Sequence, residues 1–187
     1  MTPEILERTV QYAGYLNVER LRIRLADGAE VSRDVERHGD AVAMLPYDAE
    51  RRCCLIVRLF RAPVLIASGA AVSEEACAGM IEREDAVSAA RREAIEELGV
   101  DLAEVHLIAR VWTSPGVSTE RQSLFLAPYR TADRKSPGGG VRGEHEGIEV
   151  VERSLAVLAR DADEGKIADA KLLTLILALR LRRPDLF

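Results

Sequence analysis

The chain has 187 residues, 48% of them hydrophobic and 30% charged, with a formal net charge of −5. That balance fits one soluble globular domain with a sizeable core, or one domain with a small extension. It argues against a nucleic-acid surface, which is usually basic; no run approaches the ~20 apolar residues of a membrane span, and the opening MTPEILERTV lacks the pattern of a secretory signal.

Residues 12–38 alternate apolar and polar positions on both sides of a turn. Leu21, Ile23 and Leu25 point one way and Arg20, Arg22 and Arg24 the other, with Ala26-Asp27-Gly28 as the turn. This predicts a β-hairpin subdomain over residues 1–39, ahead of a domain over 40–187. Asp40 to Pro46 and Cys53 to Phe60 read as apolar strands joined by the polar turn Asp48 to Arg52. Residues 64–75, small and apolar, read as a loop. Cys53, Cys54 and Cys77 form no C-x-x-C pair and read as reduced core residues of a cytoplasmic protein.

From about Asp85 to Leu98 the pattern predicts a helix with Val87, Ala90, Ala94 and Leu98 as its buried stripe and Gly99 as its left-handed stop. Glu93, Glu96 and Glu97, at spacings of three and four, share a face of that helix. Glu93 and Glu97 are a like-charge i,i+4 pair, which costs an isolated helix roughly 0.2–0.5 kcal/mol. Such a face is either a solvated surface, with Arg92 pairing Glu96, or a site for Mg2+, a hard cation held by one or two carboxylates and substrate phosphates. Next come a strand from Val105 to Trp112, with Trp112 as core packing, and a turn-rich loop from Thr113 to Glu120. A strand from Gln122 to Tyr129 follows, then a loose Gly-rich and charged stretch from Arg130 to Gly147. Residues 154–163 and 168–182 read as helices. In the second, Leu172, Leu173, Leu175, Ile176, Leu177, Leu179 and Leu181 form a broad apolar stripe.

Arg92-Glu93-Ala94-Ile95-Glu96-Glu97-Leu98-Gly99-Val100 resembles the second half of the Nudix box, R-E-U-x-E-E-x-G-U, where U is a bulky apolar residue. The first half, from Gly79, is one residue shorter than usual, which leaves Glu84 and Asp85 competing for one position. Such a box resembles that of the GDP-mannose-type pyrophosphatases of the family. Further stretches resemble the ADP-ribose and GDP-mannose branch in the same order: Phe60-Arg61-Ala62-Pro63, Glu75-Ala76-Cys77-Ala78-Gly79, Ser114-Pro115-Gly116, Glu144-His145-Glu146-Gly147-Ile148-Glu149-Val150 and Gly165-Lys166-Ile167-Ala168-Asp169-Ala170-Lys171.

The resemblance implies a Nudix α/β/α sandwich with a mixed sheet, preceded by a small N-terminal β-subdomain that relatives exchange in homodimers. It implies Mg2+, with Mn2+ as the alternative ion, held by Glu93, Glu97, the Ala78 carbonyl and Glu146. Glu96, Glu97 and Glu146 are the implied catalytic residues, with Glu144 the alternative to Glu146. Arg33, Arg61, Pro115 and Gly116 are the implied substrate contacts, Arg33 reaching across a dimer interface. The implied reaction is hydrolysis of a nucleoside diphosphate sugar, of GDP-mannose or ADP-ribose type, to a nucleoside monophosphate and a sugar phosphate. The alternatives are another nucleoside diphosphate derivative, such as a dinucleotide, or a non-catalytic nucleotide-sugar sensor.

Overall fold

The structure, a computed structural model, describes residues 2–141 and 147–187. It divides into two compact units: the chain up to Asp40 with Val111–Gln122, and Ala41–Arg110 with Ser123–Phe187.

In the first unit, β1 (Glu4–Ala13), β2 (Asn17–Arg24) and β3 (Glu30–Glu36) form an antiparallel sheet in that order. The predicted hairpin is β2–β3. Its turn closes with the Gly28 N–H on the Leu25 carbonyl at 3.0 Å, and Gly28 takes a positive φ that suits glycine. Strand β1 was not foreseen over its full length. Its pairing shifts register between Ile5 and Glu7 and between Val10 and Tyr12, and each irregularity breaks the alternation by which strands are read.

One face of this sheet is a ladder of ion pairs: Arg20 holds Asp34 at 2.7 and 3.0 Å, Arg22 reaches Glu7 and Glu30, and Arg24 reaches Glu4 and Glu30. Leu21, Ile23, Val31 and Val35, at alternate positions in the same register, share the other face. The loop before Glu120 hydrogen-bonds to the end of β3, Glu36 donating to the Val117 carbonyl at 2.7 Å and Thr119 to the Glu36 carbonyl at 3.0 Å.

The large sheet is mixed and seven-stranded. Its path is β10 (Glu149–Ser154), β5 (Cys53–Leu59), β4 (Ala41–Asp48), β9 (Arg121–Pro128) and β8 (His106–Trp112), with β6 (Ser73–Glu75) on β5 and β7 (Cys77–Met80) on β4. Helices α1 (Ala62–Ser68), α2 (Ala86–Leu98), α3 (Leu155–Asp163) and α4 (Ala170–Arg182) belong to the second unit.

Alternation along the strands divides the core in two. Val42, Met44, Leu55 and Val57 pack with Ala90, Ala94 and Leu98 of α2. Ala43, Leu45, Cys54 and Ile56 pack with Leu155 and Leu158 of α3 and Leu172 and Leu175 of α4. This is the expected α/β/α sandwich, with strands buried on both faces and a helical layer on each.

Several expectations are corrected. Residues 64–75 are not a loop throughout but carry most of α1 and all of β6. Helix α1 has no legible period because residues 62–67 are all apolar and set no amphipathic stripe; Pro63 lies in its first turn and Gly69, left-handed, closes it. In α2, Val87 is exposed and Ala89 takes its place in the core. In α4, Leu177 and Leu181 face outward while Leu172, Leu175, Ile176 and Leu179 are buried, because one helix face spans too narrow an arc for all seven apolar residues. Trp112 is not core packing. It ends β8, more than half exposed, with the Arg121 guanidinium 5.5 Å from its ring centroid in a cation–π contact.

Candidate functional site

Helix α2 carries the candidate acidic site, and its ends are set locally. Asp85 is the N-cap, its carboxylate accepting the N–H groups of Val87 at 2.9 Å and Ser88 at 3.1 Å. Gly99, at φ +69°, caps the C-terminus. The carbonyls of Glu96 and Glu97, in the last turn, accept N–H groups from Gly140 at 3.0 Å and Gly139 at 2.8 Å. Gly138, Gly139 and Gly140 all take positive φ to make that approach. The stretch from Arg130, expected to be loose, is therefore stapled to α2 at residues 139 and 140.

Glu93 and Glu97 are buried at 8% and 7% exposure, whereas Glu96 is half-buried beside them. They turn towards β7: the Ala78 N–H donates to Glu97 Oε2 at 3.2 Å, and the Glu93 carboxylate packs on Gly79. A Cβ at Gly79 would overlap that carboxylate, so glycine is required for the approach. Two neighbouring buried carboxylates carry a desolvation and repulsion cost that nearby positive charge and donated hydrogen bonds offset.

Arg92 supplies part of that charge. Its Nη1 donates to Glu93 at 2.8 Å and Glu96 at 2.9 Å, and its Nε and Nη2 reach Glu84 at 3.1 and 2.9 Å. Burial opposes its charge, yet hydrogen bonds and charges from Glu84, Glu93 and Glu96 raise its pKa further. Glu84 and Asp85 are thus separated by role, the first an anchor for Arg92 and the second the helix cap.

The Cys77 thiol, fully buried on β7, has its pKa pushed up by burial and then by the charges of Glu97 and Glu93, and stays a neutral core group.

Among the described residues, no group of three or more His, Cys, Asp or Glu side chains is arranged to hold a metal ion. Glu93 and Glu97 nevertheless suit Mg2+, which needs only one or two carboxylates and fills its octahedron with waters and substrate phosphates. Glu144 and Glu146 lie outside the described residues.

Arg61, at the N-cap of α1, forks onto Glu75 through Nε at 3.0 Å and Nη2 at 3.1 Å. Glu75 is buried, not an exposed loop residue, and also accepts from Lys171 Nζ at 3.2 Å. Burial works against its charge, but the hydrogen bond from Arg61 and the charges of Lys171 and Arg61 hold the carboxyl below its usual range. Sequence reasoning missed Lys171. The available signal was a cation in the first turn of an apolar helix, where the helix dipole disfavours it.

Arg33, Pro115 and Gly116 belong to the first unit and Arg61, Ala78, Glu93, Glu96 and Glu97 to the second. Arg33 pairs in register with Leu21, on the apolar face of its sheet, and its Nη1 donates to the Ser32 carbonyl at 2.8 Å. Its neighbours Arg20, Arg22 and Arg24 are all spent on carboxylates. Pro115 and Gly116 line a small apolar pocket with Val35, Trp112 and Val117.

Comparison with known proteins adds to this geometry. The NUDIX domain model matches residues 37–174. A GDP-mannose pyrophosphatase of Cronobacter sakazakii is 35% identical over 151 residues, covering 80% of this chain and 78% of the relative. That of Salmonella arizonae is 35% identical over 145 residues, covering 77% and 75%. The fold is similar to that in a crystal structure of an ADP compounds hydrolase, with a TM-score of 0.78, 15% identity and coverage of 99% and 96% of the two chains.

Proposed function

Because this chain belongs to the NUDIX family and is a Nudix hydrolase, we propose that it hydrolyses the pyrophosphate bond of a nucleoside diphosphate sugar of the GDP-mannose class. Water attacks one phosphorus, the bridging P–O bond breaks, and a nucleoside monophosphate and a sugar phosphate leave. The observation that carries the proposal is the pair of buried carboxylates, Glu93 and Glu97, facing the strand of Ala78 and Gly79. The similarity to GDP-mannose pyrophosphatases over more than three quarters of both chains supports the guanosine sugar over ADP-ribose or a dinucleotide.

In this reading Glu93 and Glu97, with the Ala78 carbonyl and Glu146, hold Mg2+ or Mn2+, which when bound supplies Lewis-acid charge against the phosphate oxygens. Arg92 keeps Glu93 and Glu96 in fixed rotamers by charge-assisted hydrogen bonds. Arg61, and Arg33 contributed by the second copy of a dimer, hold the diphosphate, each guanidinium matching two phosphate oxygens. Glu146 and Glu96 position water and accept its proton. Pro115 and Gly116 are carried over from the family resemblance as substrate contacts.

Incubation with Mg2+ and a panel of GDP-mannose, other nucleoside diphosphate sugars, ADP-ribose and dinucleotides tests the proposal. Monophosphate release is expected, greatest with GDP-mannose. Glu97→Gln should abolish turnover with little change in the melting midpoint, and an equally active variant would remove Glu97 from the site.

We propose further that the protein is a homodimer. The first unit buries none of its described apolar residues, which leaves Leu21, Ile23, Val31 and Val35 without a core of their own. Analytical ultracentrifugation at micromolar concentration should give twice the monomer mass. A monomer there would overturn the dimer and leave the hydrolase reading standing.

A further inference from the structure

Lys171 occupies an electrostatically poor position. It is the second residue of α4, where the helix dipole already presents positive charge, and its side chain is mostly buried. Two carboxylates offset this, Asp169 Oδ1 at 2.7 Å and Glu75 Oε2 at 3.2 Å from Nζ. Asp169 is itself fixed. As N-cap of α4 it accepts the N–H groups of Lys171 and Leu172, and its second oxygen also accepts the Ala76 N–H at 3.0 Å.

Glu75 then presents both carboxylate oxygens to Arg61. A continuous charge-assisted chain therefore runs Asp169, Lys171, Glu75, Arg61. Arg61 sits at the start of α1, a helix with no buried residue, so the packing of α1 does little to orient its guanidinium. The two-bond fork onto Glu75 fixes the guanidinium at its Nε and Nη2, and Lys171 holds Glu75 from its other side. Burial lowers the pKa of the Lys171 ammonium, but Asp169 and Glu75 together raise it above the usual value, so it is charged at neutral pH.

We propose that Lys171 is a positioning residue for substrate binding, acting through Glu75 to hold the Arg61 guanidinium in the plane that receives the diphosphate. The inference rests on the pyrophosphatase reading for the role of Arg61. It differs from a general stabilising role because it assigns the effect of Lys171 to one arginine.

The test is a double-mutant cycle on the full chain, with Lys171→Met, Arg61→Met and both together, read as KM and kcat for GDP-mannose with Mg2+. Removing an interaction shared by ground and transition states raises KM and spares kcat, so Lys171→Met should raise KM on the order of tenfold with kcat within about twofold. The double variant should be no more than about twofold worse than Arg61→Met alone, because residues acting in one chain are not additive. Lys171→Arg, which keeps charge and reach, should restore KM to within a few-fold of the starting protein. Full additivity, or an unchanged KM in Lys171→Met, overturns the inference. If Lys171→Met does not fold, Lys171→Gln takes its place, with the same outcomes required.

Should the unaltered protein hydrolyse no substrate of the panel, the pyrophosphatase reading fails separately. The same cycle is then read by calorimetric binding of GDP with Mg2+. Non-additive weakening there upholds the link between Lys171 and Arg61, and additive or absent weakening overturns it.

Discussion

The two units are stabilised by opposite means. The second packs apolar side chains on both faces of its sheet, and its strands β4 and β5 are buried almost end to end. The first also pairs its strands into an antiparallel sheet, irregular at two places in β1, but none of its described apolar residues is buried, and one face is tied by exposed arginine–carboxylate pairs. Exposed ion pairs add little to stability, since solvent screens them and long side chains lose freedom in making them. Regular hydrogen bonding thus suffices to shape a sheet, whereas burial of apolar surface is what makes one stable by itself.

Three measurements sharpen or break that contrast. The largest effect is expected in the second unit. Phe125→Ala removes a fully buried ring beside α2 and should cost about 3–5 kcal/mol in urea unfolding. A cost below ~1 kcal/mol would mean that this layer does not carry the stability assigned to it.

Acid should act next, and mainly on the second unit. The Glu75 carboxyl lies below its ordinary value in the folded protein, so the unfolded chain binds its proton first as pH falls. The associated stability is fully present above the ordinary value of 4.5 and is lost as pH falls through the folded value. The urea midpoint should decline through that window, and Glu75→Gln should flatten the decline. A slope unchanged in Glu75→Gln would show that other carboxylates govern acid unfolding.

The smallest effect belongs to the first unit. Arg20→Ala opens a solvent-exposed pair with Asp34 and should leave the urea midpoint unchanged within error, at low and high salt alike. A clear loss would show that the ladder of pairs, and not a covered apolar face, holds this sheet.

Much of the candidate acidic site was legible because it is local. Glu93, Glu96 and Glu97 share a helix face by spacing alone, and Gly99 ends that helix where a left-handed residue is needed. The division of labour between Glu84 and Asp85 was not legible. Both are acidic, adjacent and near a helix start, and only the reach of Arg92 across eight positions separates anchor from cap. Glu75 and Lys171 lie 96 positions apart, so no periodicity links them. The arginines of β2 and β3 show the same limit: Arg20, Arg22 and Arg24 are consumed in ion pairs, whereas Arg33 pairs in register with Leu21.

By itself, then, the sequence determined what depends on neighbours within a turn or a strand: the acidic helix, its stop, the β2–β3 hairpin and the alternating core strands. Only the tertiary structure decided which charges are buried, which are paired and which glycine must yield space to a carboxylate. The physical reason is that periodicity records the direction in which a side chain points, while burial and pairing depend on what another part of the chain brings to meet it.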